Sequence, residues 1–360
     1  VQGAYGVDRW NQWAKFLNEL CDGRWRRAFY LRRAWLSGHR QQPFFDVLDP
    51  ACELLAASRL DRRLQELGRA LQKMAAYPDP LNSGPEQLKG WEATVPAVVK
   101  WGAGTPFPDL ARYGLVACMA EQVRLEEAAG WVRTHLSEFD NPLRAAYCML
   151  YLVDWEWSRI GDNPPHESLL RLAREALDIA PQGSSAVQAL VYLADGSQRN
   201  GRDSEMVDLL QRALAIPRSG FQEFQDESAE FSRSRAGQML ARHYQKAKNW
   251  PKAIDAWKAW ESHSWCVTCD WGMEEEKNLA LGTAYEALGR VRDSAEFFWK
   301  AAAGRGSAAV ETAKKVKAIH ESLGNVPELI EKVRSEVKEE SEDPPAGLKW
   351  LAENLGVPLK

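Results

Sequence analysis

The residues best suited to chemistry lie in one short stretch, "WESHSWCVTCDWG", Trp260 to Gly272. His263, Cys266 and Cys269 stand at His-x2-Cys-x2-Cys spacing, which brings an imidazole and two thiolates within reach of one ion. Structural zinc takes four such ligands. Asp270 or His243 could supply the fourth, since the sequence holds no second CxxC. The same Cys266–Cys269 pair could instead form a short-loop disulfide or redox couple, although the strand-to-helix setting of thioredoxin-like pairs is missing. In a third reading Trp265, Cys266 and Trp271 fill a gap between helices with both thiols reduced. Packing is the favoured reading; a zinc site or a metal- or redox-responsive switch is the alternative.

The rest of the chain offers little for catalysis. There is no P-loop, nucleophile elbow, dinucleotide fingerprint or HExxH, and His166-Glu167 lacks the second histidine of a zincin. A non-catalytic protein is expected, with no cofactor. A second candidate surface is "RWRRAFYLRRAW", Arg24 to Trp35. On a helix, Trp25, Ala28, Phe29, Trp35 and Leu36 share one side, and Arg32 falls inside that apolar sector. An amphipathic helix with a snorkelling or paired Arg32 is expected. The alternative is an anionic ligand or nucleic acid held by the Arg24–Arg40 region. A net charge of −4 gives no general attraction to nucleic acid or an anionic membrane, and no run approaches the ~18 apolar residues of a membrane span.

The elements that must position these residues are helical hairpins. "LALGTAYEALGRVRDSAEFFWKAA" places small residues (Gly282, Ala284, Ala301) where two helices must approach, bulky ones (Tyr285, Phe298) between them, and Gly289 where the first helix ends. "LARHYQKAKNWPKAIDAWKAW" repeats the pattern with Leu240, Ala241, Tyr244, Ala253, Ile254 and Trp257, and Pro251 suits a helix start. Gly324 lies 35 residues beyond Gly289 (324 − 289), close to a ~34-residue period. Tyr244 to Tyr285 spans 41 residues (285 − 244), so about seven are inserted between hairpins, and "ESHSWCVTCDWG" is that insertion. "GFQEFQDESAEFSRSR" similarly lengthens the helix leading into Leu240. Weaker equivalents run back through Leu193, Ala194, Gly201, Leu210 and Ala213, then Ala176, Leu177 and Pro181, and Leu115, Val116 and Ala128.

These positions resemble the tetratricopeptide (TPR) family, well over 234–306 and less closely on both sides. The resemblance implies an all-α fold: a right-handed TPR-like α-solenoid of five or six hairpins over 109–338. A helical N-terminal region (1–108) caps or extends it, and a charged linker with a short C-terminal helix (339–360) follows. It also implies a protein–protein interaction scaffold, adaptor or regulatory module binding a peptide or partner protein on a concave face lined by the first helix of each hairpin. Register places Arg112, Gln238, Arg242, Gln245, Asn278 and Glu286 on those first helices as partner-binding candidates. The family's carboxylate-clamp residues do not map onto this chain, which argues against a binder of C-terminal peptides.

At 360 residues, 45% hydrophobic and 27% charged, the chain is that of an ordinary folded protein. Its sixteen tryptophans are the anomaly. Each brings a large apolar area and an N–H that needs an acceptor, which suits helix seams and grooves alike. Cys21, Cys52, Cys118 and Cys148 sit in apolar helical patterns and are expected to be packed. The chain begins with Val, so a processed form or a part of a larger polypeptide or complex is expected. A cytoplasmic setting is favoured, with a cleaved secretion signal as the other option.

Overall fold

The computed structural model describes residues 62–75, 85–103, 107–122, 124–139, 142–217, 226–262, 267–339 and 344–359. Among them every regular element is helical: an all-α architecture of repeated helix hairpins in which consecutive helices pack in turn. The chain divides into two compact units, Val1–Ala229 and Glu230–Lys360.

In the first unit, α1 (Arg62–Ala75) packs on α2 (Pro85–Gly102), and α2 on α3 (Phe107–Glu121). Three hairpins follow: α3 with α4 (Leu125–Thr134), α5 (Pro142–Ile160) with α6 (Glu167–Ile179), and α7 (Ser184–Arg199) with α8 (Asp203–Ala215). The first helices, α3, α5 and α7, lie side by side in that order. Second helices are joined at the surface, where Arg133 of α4 pairs with Glu175 of α6 and Arg171 of α6 with Glu126 of α4.

The second unit repeats the plan. Its hairpins are α9 (Asp226–Lys246) with α10 (Trp250–Ala259), α11 (Val267–Ala287) with α12 (Val291–Ala302), and α13 (Ala309–Ser322) with α14 (Val326–Glu339). The C-terminal helix α15 (Ala346–Leu355) packs on α12, α13 and α14 through buried Leu348, Leu351 and Ala352.

Glycines set how closely these helices meet. A methyl group on Gly282 of α11 would lie 2.7 Å from the ring of buried Phe298 of α12. The same relation recurs between Gly114 and Trp91, Gly196 and Leu170, and Gly237 and Trp260, at 2.3, 2.5 and 2.8 Å. The expected pairing of Gly282 against Phe298 is thus present, and the same relation extends beyond that hairpin; Tyr285 instead stacks on Phe297 and is buried with Ala241, Ala253 and Trp257 of the preceding hairpin.

The turns of the α7–α8, α9–α10, α11–α12 and α13–α14 hairpins share one geometry. At Gly201, Gly289 and Gly324 the backbone is left-handed (φ +69, +72 and +68°). In each, the N–H of the following residue reaches back to the last full turn, as Arg290 N–H does to Tyr285 O at 2.9 Å. The α9–α10 turn makes the same bonds but carries Lys248 at φ +54°, a conformation that L side chains adopt at a cost. Asn249 then caps α10 by accepting from Lys252 N–H, with Pro251 in the first turn as expected.

The 260–272 stretch differs from expectation. The repeat spacing predicts a lengthened loop plugged by its tryptophans, but helix α11 already runs from Val267. Among the described residues Trp260 forms the plug: it is buried, seats on Gly237 and donates its indole N–H to Ser234 O at 2.8 Å. Trp271 is 41% exposed with the Arg305 guanidinium over its ring. Trp265 lies outside the described residues.

Two pairs of variants test this packing by thermal or urea unfolding. Gly282→Ala overfills the seam against Phe298 and is expected to cost about 1–3 kcal/mol. Gly272→Ala on the same helix meets nothing within 4 Å and should gain up to about 1 kcal/mol from helix propensity; equal effects would contradict the close approach. At the turns, Lys248→Gly should stabilise by about 0.5–1 kcal/mol and Gly289→Ala should destabilise by a similar amount.

Candidate functional site

The candidates for partner contact lie on first helices, and the fold sets what those side chains can do. In the first unit α5 and α7 are tied by polar bonds at nearly constant sequence separation. Tyr147 and Ser184 share a hydroxyl–hydroxyl bond, Tyr192 OH donates to Asp154 Oδ1, and Trp157 Nε1 donates to Asp195 Oδ2 at 3.1 Å. Their separations are 37, 38 and 38 residues, one hairpin each. Trp157 also packs against Tyr192, ring centroids 5.0 Å apart, so this tryptophan of the "DWEW" doublet has both its face and its N–H satisfied.

One step earlier, α3 and α5 are joined by a buried charge network. Asp109 Oδ1 accepts from Arg112 Nη1 at 3.1 Å and Oδ2 from Arg144 Nη1 at 2.9 Å. Arg112 Nη2 continues to Glu138 at 3.0 Å, and its guanidinium lies over the Phe139 ring. Arg112 and Asp109 are 3% and 0% exposed. Burial pushes the nearby Cys148 thiol above its ordinary range, with Asp109 adding to the effect and Arg112 opposing it. Cys118 and Cys148 are both buried free thiols, as their apolar setting suggested. Alongside, Tyr113 of α3 meets Tyr151 of α5 edge to face, centroids 5.4 Å apart. Burial again raises the phenol of Tyr113, with Tyr151, Cys148 and Asp154 contributing.

The second unit has a more exposed counterpart. Glu276 of α11 accepts from Gln238 Nε2 at 2.8 Å and from Arg242 Nη2 at 2.7 Å, both on α9. Glu286 of α11 accepts from Lys315 Nζ of α13 at 2.6 Å. Gln245 accepts from Trp257 Nε1 at 3.1 Å. Hence Gln238 and Arg242 are brought together on one carboxylate, and Gln245 serves the α9–α10 seam. Glu286 bridges to the next hairpin, and Asn278 is half-buried on α11. Arg112 is the one candidate fully inside the protein.

Of the chemical cluster, His263 and Cys266 lie outside the described residues, as does the side chain of Cys269, and so does the Arg24–Arg40 region. Among the described residues no group of three or more His, Cys, Asp or Glu side chains is placed to hold a metal ion. No described helix is long and apolar enough to cross a membrane.

Sequence reasoning passed over Asp154, Tyr192 and Asp195, although the signal was present. The separations of 37 and 38 residues that join α5 to α7 match the hairpin period, and aligning those two helices would have paired their polar positions.

The two arginine pairs differ in burial, and burial sets their worth. Arg112→Met leaves Asp109 with Arg144 alone and removes the Arg112 donor from its buried Oδ1, and should cost about 3 kcal/mol or more in urea unfolding. Arg242, 56% exposed, makes an equally good pair with Glu276, yet Arg242→Met should cost no more than about 1 kcal/mol. Similar losses for both would contradict the assignment of Arg112 to the interior.

No protein-family model matches the chain, and no curated protein matches it either.

Proposed function

We propose that the chain is a non-catalytic scaffold or adaptor that recognises an extended peptide or a helix of a partner protein along its first helices. In this reading the hairpins of 109–338 form a right-handed TPR-like solenoid, extended by 1–108 and followed by the linker and short helix of 339–360. The observation that carries it is the polar bonding between neighbouring first helices at the hairpin period. Such bonds hold α5 beside α7, and α9 beside α11, in fixed register, so side chains on their outer faces form continuous rows. A row of preordered side chains loses little entropy on binding, which favours recognition of a flexible segment. Arg242, Glu286 and Gln238 are the candidate residues whose exposure best suits direct contact. Arg112 and Gln245 support the helices that carry them.

Peptide display followed by hydrogen exchange tests the reading. A display library of unstructured peptides panned against the full chain should yield binders, and the bound peptide should protect amides in first helices more than in second helices. Failure to enrich any peptide, or protection confined to α4, α6, α8, α10, α12 or α14, would overturn it.

A further inference from the structure

The turn between α9 and α10 holds a side chain in strain that the fold does not use. The equivalent turns carry Gly201, Gly289 and Gly324, and this one carries Lys248 at φ +54°. An L side chain is strained there and glycine is not. The Lys248 side chain is exposed and has no bonding partner among the described residues. A backbone outlier that packing does not require points to a role outside the chain. Lys246, two residues earlier, and Arg292, just past the α11–α12 turn, are likewise exposed and unpartnered among the described residues. Lys252, at the start of α10, meets only the Tyr244 ring, 5.4 Å from its centroid.

The α9–α10 and α11–α12 turns sit side by side. Tyr244 and Tyr285 each stand four residues before the left-handed position, and both pack in the cluster formed with Ala241, Ala253 and Trp257. Carboxylates at this edge are answered within the chain. Glu286 accepts from Lys315 at 2.6 Å and Asp293 from Arg290 at 2.8 Å. Asp255, more than one turn into α10, lies between Lys252 and Lys258, three residues from each. The charge left over is positive, although the whole chain carries −4. Apolar side chains stand beside it: Leu288 and Val291, on either side of Gly289 and Arg290, are 43% and 36% exposed. One hairpin further, Leu323 holds the place before Gly324 that Leu288 holds before Gly289, and is 38% exposed. At that turn Glu321 pairs with Lys317 and Glu328 accepts from Asn325, so the basic stretch ends there.

We propose that this turn edge of the second unit docks on an anionic lipid surface. Lys246, Lys248 and Arg292 meet the phosphate-bearing headgroups, and Leu288 and Val291 enter the interface. The apolar side chains stand at the tips of turns rather than along a groove, which suits a plane better than a peptide. Interfacial binding grows with the apolar area buried and with each Lys or Arg held near the headgroups. Lysine at position 248 then has a reason: glycine would relax the turn but remove a cation from its tip. Docking through turns leaves the outer faces of the first helices uncovered, so this inference stands apart from peptide recognition.

The test is cosedimentation of the full chain with vesicles of phosphatidylcholine alone and of phosphatidylcholine with about one-third phosphatidylserine. The mixed vesicles should bind at least about tenfold better, and the difference should shrink as salt is raised. Lys248→Gly should weaken binding to the mixed vesicles about fivefold while raising the unfolding midpoint. A purely structural lysine would not give that combination. Leu288→Gln should weaken binding by a similar factor with the unfolding curve unchanged. Arg212→Gln, which removes an exposed cation from α8 of the first unit, should leave binding as it was. Equal binding to both vesicles, binding to neither, or mixed-vesicle binding that survives both Lys248→Gly and Leu288→Gln would overturn the proposal. A polyglutamate peptide bound through Lys248 by a chain that ignores both vesicles would also overturn it, and would give the edge to an acidic protein segment.

Discussion

The described fold depends on helices approaching closely where one of them has no side chain. A glycine inside a helix costs roughly 0.5–1 kcal/mol against alanine. At Gly114, Gly196, Gly237 and Gly282 that cost admits Trp91, Leu170, Trp260 and Phe298 into positions a methyl group would occupy. Burying a large aromatic removes 150–250 Å² from water at about 25 cal/mol per Å², so roughly 4–6 kcal/mol of gross stabilisation outweighs the propensity lost. The tryptophan excess follows from the same geometry. Trp91, Trp157, Trp257 and Trp260 are buried at helix contacts, and for three of them an acceptor for the N–H is supplied by Asp195, Gln245 or Ser234 O.

These apolar seams lie within hairpins at Gly237 and Gly282 and between α2 and α3, or α6 and α7, at Gly114 and Gly196, and neighbouring first helices meet through polar groups together with the Trp157–Tyr192 and Tyr113–Tyr151 ring contacts. Buried bonds specify register there more than they add stability. A buried pair such as Asp109 with Arg112 and Arg144 gains little net free energy over an apolar replacement, yet breaking one partner is costly. One arrangement of α3 against α5 is therefore strongly preferred over its slipped alternatives. The α9–α11 contact through Glu276 is wetter and less costly to break.

How much of this could be read from residue order differs from place to place. The pair Gly282 and Phe298 and the turns at Gly289 and Gly324 were legible because each reflects a local rule: a small residue opposite a large one, and a left-handed end to a helix. The start of α11 at Val267 was not. The loop reading followed from the 41-residue spacing of Tyr244 and Tyr285, which shows that residues are inserted but not where they go; α11 takes up part of them as added helix from Val267, although Val267 and Thr268 are poor helix formers. Arg112 illustrates a different limit. Asp109 three residues earlier was visible, but Arg144 and Glu138 come from distant positions, so register alone could not tell an outward arginine from one enclosed by the fold. The α5–α7 bonds needed a residue-by-residue alignment of two divergent hairpins, and single small-residue positions such as Ala194 and Gly201 are too few to fix it.

In the proposed function first helices, not second helices, meet the partner. The most direct measurement places a photo-reactive benzoylphenylalanine at Ser158 of α5, exposed and seven residues beyond Tyr151, or at Arg171 of α6, 53% exposed. Each chain is irradiated with the same bound peptide. The account predicts a peptide adduct from position 158 and none from position 171. An adduct from 171 alone would contradict it and move the partner surface to the second helices.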